Sequence, residues 1–327
     1  MTTNGSSSLS EHMKALCRAP RTPGSPGYLE SQIYICETLQ SLGFDVLEQR
    51  FSPLLVGPSL NIYARLDSSA GSSEKGILLG GHYETLCSSG VGADDNASAV
   101  AVILELARRF KENPPATPVT FCFFDLEENY RLGGLRGSEA FASHFADRFQ
   151  EVIILDLVGG HFAPHMESAY FQFGDSRPPL QHSDLEFMHL PIKVLEPLGA
   201  WGSMGPRSDY YAFRKRGVPY TFLSSGTPWY YHTENDNLDR IDFEKMEKLC
   251  EVLEKEIYKG CSSTPHIPSW NSFHRLTELI SKTPQLQSKE LQLMMERKAE
   301  PDRLQMVRFH IQVLKKLREF GPSLWAA

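Results

Sequence analysis

Four short apolar runs, GILLGG, VTFCFFD, VIILDL and VPYTFL, recur between segments of helical character, and this alternation restricts the chain more than any other feature. A continuous apolar run of this length suits a strand covered on both faces. Strand, helix, strand repetition then argues for an α/β fold: a mixed, mostly parallel central sheet with helices on both faces. Before the first run, DVLEQRF and LNIYARL alternate in polarity and predict half-buried strands. The stretch SPGYLESQIYICETLQSLGF predicts a helix whose apolar side carries Leu29, Ile33, Ile35, Leu39 and Leu42 and which stops at Gly43. SAVAVILELARRFKEN predicts a mostly buried helix, with Asn96 or Ser98 as N-cap and Pro114 and Pro115 as its stop. GSEAFASHFADRF and DFEKMEKLCEVLEKEIY read as two further helices.

The composition shift near residue 260, GCSSTPHIPSW, marks a linker, so residues 11–260 are expected to form one catalytic domain and residues 261–327 a helical C-terminal extension. Residues 1–10, rich in Ser, are expected to lack structure. In the extension, Leu304, Val307, Ile311, Leu314 and Leu317 form an apolar stripe suited to packing on the main domain, or alternatively to a homodimer contact or an active-site cover.

With 327 residues, 41% hydrophobic and 22% charged, and a net charge of −7, the chain has no basic excess to attract nucleic acid or anionic lipid. No stretch approaches a membrane span and the N-terminus lacks the pattern of a signal peptide, so a cytoplasmic protein is expected. The cysteines show no CxxC spacing and are expected as thiols, with Cys122 in the core; no Cys-His-Asn arrangement surrounds Cys87 to make it a nucleophile.

In open α/β sheets, functional groups gather beyond the carboxyl ends of the strands. GILLGG ends at His82, VTFCFFD leads into Glu127 and Glu128, VIILDL carries Asp156, and the loop after VPYTFL reaches His232. With Asp95, which precedes a helix, these positions supply two histidines and three carboxylates, the donor set of a zinc site or of a zinc pair bridged by a carboxylate. Each alone is explicable as a helix cap or loop anchor, but together they converge on one edge. Glu127, beside Glu128, is placed to act as general base while its neighbour binds metal.

In order and spacing, RTPGSPG, LGFDV, GGHYE, GADDNAS, FFDLEEN, LRGSEAF, ILDLVG, SDYYAF, RGVPY and YYHTENDNLDRID resemble the co-catalytic zinc aminopeptidases of the bacterial leucyl aminopeptidase type, whose relatives include glutamate carboxypeptidase and the glutaminyl cyclases. The resemblance spans about residues 10–260. It implies one or two zinc ions held by His82, Asp95, Glu128, Asp156 and His232, with Asp95 bridging, Asp94 shaping the loop, and Glu127 acting on metal-activated water. Its implied activity is hydrolysis of a small peptide or amide. Glu84 stands where the family has the Asp of a His-x-Asp motif, so it is expected to support His82 with a carboxylate displaced by one methylene. The segment EENYRLGGLRG is longer than in compact aminopeptidases and resembles the insertion of glutaminyl cyclases. Asp209, in SDY where the family has SDH, matches an Asp of the proton-transfer network in those cyclases. A cyclase using a single zinc and an inactive binding relative are therefore the alternative readings. Trp229 and Tyr231, next to His232, are candidates for substrate contact, and Tyr83, Tyr130, Trp201 and Tyr230 are further aromatics near the expected site.

Overall fold

The computed structural model describes residues 8–53, 58–71, 75–86, 90–128, 134–162, 166–174, 176–190 and 208–260. The expected C-terminal extension, with its apolar stripe and the homodimer contact assigned to it, lies outside the described residues, as do Cys87, Tyr130 and Trp201.

In chain order the elements are α1 (Ser8–Leu16), α2 (Pro26–Ser41), β1 (Val46–Phe51), β2 (Ser59–Leu66), β3 (Gly76–His82), α3 (Ser98–Glu112), β4 (Val119–Phe124) and α4 (Arg136–Phe145). They continue with β5 (Phe149–Leu155), β6 (Ala169–Gly174), β7 (Glu186–Leu190), α5 (Tyr210–Arg214), β8 (Tyr220–Ser224) and α6 (Phe243–Tyr258). The strands form one eight-stranded sheet in the order β1-β2-β4-β3-β5-β8-β6-β7. Its centre, β4-β3-β5-β8, is parallel, whereas β1, β2 and the β6/β8 pair run antiparallel.

Successive side chains of a strand point to opposite faces, and each face here has its own core. Ile77 and Leu79 of β3 pack with Met13, Ile35, Leu104 and Leu253 under α1, α2, α3 and α6. Leu78, between them, packs with Phe124, Phe141, Phe213 and Phe222 under α4 and α5. From β3 the chain crosses through α3 to β4 on one side, and from β4 it crosses through α4 to β5 on the other side of β3. The carboxyl end of β3 is thus a topological switch point, where the connections diverge and leave a crevice.

The four apolar runs become β3, β4, β5 and β8 as expected, and Cys122 is fully buried. Other expectations need correction. Ordered helix begins at Ser8, inside the stretch expected to be without structure, because Leu9 and Met13 seal the first core. Leu29 and Ile33 of α2 are 56% and 48% exposed, while Gly27, Ser31, Ile35 and Leu39 face inward. Close approach decides that face: a Cβ on Gly27 would lie 2.5 Å from the Pro20 carbonyl. Gly43 ends the helix in the left-handed region as predicted. Neither Asn96 nor Ser98 caps α3, because the Asn96 amide donates to the Leu155 carbonyl and the Ser98 hydroxyl to the Asp94 carbonyl. Strands β6 and β7 were not expected, since their segments carry neither strict alternation nor a long apolar run. Among the described residues no helix is long and apolar enough to cross a membrane.

Phe213 is fully buried against Phe124, Phe141 and Phe149. Phe213→Ala is expected to destabilise the protein by about 3–5 kcal/mol, whereas Ile33→Ala on the outer face of α2 changes stability by at most about 0.5 kcal/mol; urea unfolding midpoints compare the two.

Candidate metal centre

The crevice beyond β3 collects the residues singled out in the sequence. His82 closes β3, Asp156 directly follows β5, and Glu127 and Glu128 follow β4 after a turn at Leu126. Asp95 lies in the single turn Ala93–Ala97 that leads into α3, and His232 in the loop after β8. Leu126, Leu157 and His232 all adopt positive φ, with values of 57°, 57° and 59°. Such backbone is costly for these residues and is retained where the surroundings fix it, as at functional sites.

Asp95 is the centre of the geometry. Its Oδ1 lies 3.4 Å from Nε2 of His82, whose Nε2 is in turn 3.6 Å from Asp156 Oδ1. Its Oδ2 lies 3.1 Å from Nε2 of His232, which is 3.0 Å from Glu128 Oε1. The two oxygens of one carboxylate therefore face two different His-carboxylate pairs, forming the groups His82, Asp95, Asp156 and Asp95, Glu128, His232. A third grouping, His82, Glu127 and Glu128, sets the Glu127 carboxylate beside the same point.

A cation fits these donors. Nε2 of His82, Oδ1 of Asp156 and Oε2 of Glu128 are buried atoms without a hydrogen-bond partner, and leaving such atoms unpaired is costly. Two imidazole nitrogens with three carboxylates are ligands that zinc accepts.

Asp94 and Asp95, adjacent in sequence, are separated in duty. Asp94 Oδ1 accepts from the amides of Gly159 and Gly160 at 2.8 and 3.0 Å, and its Oδ2 accepts from the Tyr230 hydroxyl at 3.0 Å. A Cβ on Gly160 would lie 2.6 Å from Asp94 Oδ2 and 1.8 Å from the Tyr230 hydroxyl, so the close approach requires glycine there. Asp94 thus ties its turn to the loop after β5.

Glu84 also has a defined place. Nδ1 of His82 pairs with the backbone carbonyl of Glu84 at 3.2 Å, and the Glu84 carboxylate is farther off, at 3.7 Å. Its other oxygen accepts the Glu128 amide at 3.0 Å. The added methylene carries the carboxylate past His82 to the strand end that bears Glu128, linking two candidate ligands. Asp209 is fully buried at the start of α5.

The electrostatics are those of crowded acids. Burial pushes the Glu84 and Asp156 carboxyls upward. Burial and the charge of Asp95 push Glu128 up to about 8. Burial together with Glu128, Asp156 and Asp209 raises Glu127 well above the usual range, despite His82. Burial, only partly offset by His82 and Ser138, lifts Asp209 to about 7. Burial acts against charge on both histidines, yet Asp156 and Asp95 raise His82, and Asp95 and Glu128 raise His232 to about 10. Asp95 moves the other way: His232 and His82 outweigh burial and hold it well below the usual carboxylate range.

Among the aromatics, Tyr231 stacks on the His232 ring with centroids 3.6 Å apart. Trp229 packs edge-on against Tyr230, with the Arg240 guanidinium 4.9 Å from its ring centre. Tyr83 and Tyr230 are buried scaffold instead of pocket lining: Tyr83 donates to the Leu60 carbonyl, and Tyr230 holds Asp94. Two buried charged residues near the site, Arg21 and Asp236, were not singled out from the sequence, because their partners are backbone atoms and leave no mark in spacing.

The profile of peptidase family M28 matches residues 61–257. Glutaminyl-peptide cyclotransferase of Bos taurus is 27% identical over 279 residues, covering 72% of this chain and 76% of that protein. Aminopeptidase YwaD of Bacillus subtilis is 24% identical over 203 residues, covering 56% of this chain and 41% of that protein. The solved aminopeptidase from Aneurinibacillus sp. strain AM-1 superposes with a TM-score of 0.63 at 18% identity, over 80% of this chain and 95% of that one, a likeness of fold.

Cation binding requires the histidines neutral and the carboxylates ionised. His232, raised to about 10, holds a proton at pH 7 in the metal-free protein and must release it. Zinc uptake is therefore expected to release protons and to tighten as pH rises from 6 to 8, measured by titration calorimetry in buffers of different ionisation enthalpy.

Proposed function

The chain belongs to peptidase family M28, and on that premise we propose that it is a zinc-dependent aminopeptidase or related amidohydrolase acting on a small peptide or amide. The observation that carries this reading is Asp95, whose two oxygens face two separate donor pairs, the arrangement of a carboxylate shared by two ions. In this reading His82 and Asp156 complete one half, and Glu128 and His232 the other. Zinc, when bound, polarises a carbonyl oxygen and lowers the pKa of water.

The chain's own groups supply the rest. Glu127, kept proton-affine by burial and by the neighbouring carboxylates, takes the proton of the attacking water and passes it to the leaving nitrogen. Asp209, raised to about 7, joins this network from behind as a buried reserve of proton affinity. The carboxylates gathered around His82 and His232 favour a substrate that brings a positive charge, such as a free α-ammonium group. Tyr231, stacked on His232, and Trp229 in the same loop are assigned to the substrate side.

The second reading, glutaminyl cyclisation with a single zinc, is supported by the similarity to the bovine cyclotransferase and by the buried Asp209. Metal content per chain, with cleavage of an aminoacyl anilide compared with cyclisation of an N-terminal Gln peptide, separates the two. Two zinc ions with hydrolysis support the first reading; one zinc with cyclisation replaces it.

Glu127→Gln is expected to lower kcat by roughly 10²–10⁴-fold while zinc content stays the same. Full turnover in a metal-loaded Glu127→Gln protein would sink the mechanism. Tyr231→Ala is expected to raise KM more than it lowers kcat, in steady-state measurements on the same anilide.

A further inference from the structure

The motif RTPGSPG near the N-terminus has no part in this chemistry, yet its arginine binds backbone next to two of the candidate ligands. Arg21 is fully buried, and its guanidinium donates to four main-chain carbonyls. Nε donates to Tyr83 at 2.7 Å, Nη1 to Leu16 and Val91 at 3.0 and 2.6 Å, and Nη2 to Gly92 at 2.8 Å. Tyr83 is the residue after His82, and Gly92 opens the turn that carries Asp95. One rigid fork therefore spans both sides of the loop between two candidate ligands, and the amide of Thr85 returns a bond to the Arg21 carbonyl at 3.3 Å.

The opposite edge of that turn is held by a buried anion. Asp236, 2% exposed, accepts the Asp94 amide on Oδ1 at 2.7 Å and the Asp95 amide on Oδ2 at 3.0 Å. Its own carbonyl accepts the Ala93 amide at 3.4 Å. Carbonyls of residues 91 and 92 thus meet a cation, and amides of residues 93 to 95 meet residue 236. The turn has little slack between them: Gly92 sits at φ +58, and a Cβ there would be 2.3 Å from the Asp95 carbonyl.

We infer that Arg21 and Asp236 are positioning residues that together fix Asp95 between His82 and His232 before any metal arrives, and so set the zinc affinity of the site. The inference rests on the reading of Asp95 as a zinc ligand. Burying two charges costs several kcal/mol each unless their partners are well placed. Apart from the bond to Leu16, these two charges are spent on backbone groups between Tyr83 and Asp95.

A competitive zinc titration against a fluorescent chelator tests this, on the full chain and on Asp236→Asn, Arg21→Lys and Glu151→Gln, beside thermal melts of the metal-free proteins. Asp236→Asn keeps the shape but offers one of the two amides a donor, and Arg21→Lys keeps the charge but loses the fork. Glu151→Gln is the control: Glu151 pairs with buried Arg177 at 2.8 Å, on β5 well before Asp156. The expected result is zinc affinity weakened roughly 10–100-fold in both clamp variants, with Glu151→Gln melting lower yet binding zinc as the wild type does. Should Asp236→Asn not fold, Asp236→Glu, which displaces the carboxylate by one methylene, gives the same readout. Unchanged affinity in the folded clamp variants, or an equal loss in Glu151→Gln, overturns the inference alone. A wild-type chain that takes up no zinc overturns the zinc reading and the inference with it.

Discussion

Crowding of like charge is the constraint to which the crevice is built. Glu84, Asp95, Glu127, Glu128, Asp156 and Asp209 meet beyond the ends of the central strands, where little water screens them. Mutual repulsion would drive such a group apart or protonate it. The fold counters with packed strands beneath, two histidines between the acids, and backbone amides aimed at individual oxygens. Among the described residues, three backbone contacts each fix one carboxylate or its turn: Glu84 against the Glu128 amide, Asp94 against Gly159 and Gly160, Asp236 under the turn of Asp95.

The sheet supplies the frame for this because its connections diverge at β3. With α3 on one face and α4 on the other, the carboxyl ends of β4, β3 and β5 lie side by side. His82, Glu128 and Asp156 are carried there by strand geometry and need no long loop to reach each other. Asp95 and His232 come from longer excursions, and His232 is the most accessible of the five candidate ligands. Tyr231 stacks beside it.

Much of this was legible in the sequence for a definite reason. A strand covered on both faces writes its length in apolar residues, and the polar residues that close or follow it mark the sheet edge; His82, Glu127, Glu128 and Asp156 were singled out that way. The outer helices were less legible. Leu29 and Ile33 of α2 look like core by composition, but tight contact at Gly27 turns another face inward. β6 and β7 lie at the edge of the sheet, where pairing with β8 outweighs a weak local pattern. Arg21 and Asp236 were silent because they bind main-chain atoms, which every residue offers alike.

The packing of Asp94 over Gly160 has a consequence for how such a sequence can drift. Three positions far apart in the chain, 94, 160 and 230, share one small volume, in which the carboxylate, the bare α-carbon and the phenol each leave room for the others. A side chain gained at 160 has no place unless the phenol at 230 is given up, and the carboxylate at 94 then loses one of its donors. Substitutions at these sites are therefore tolerated as a set and purged singly, so descendants of this chain should inherit the trio whole or replace it whole.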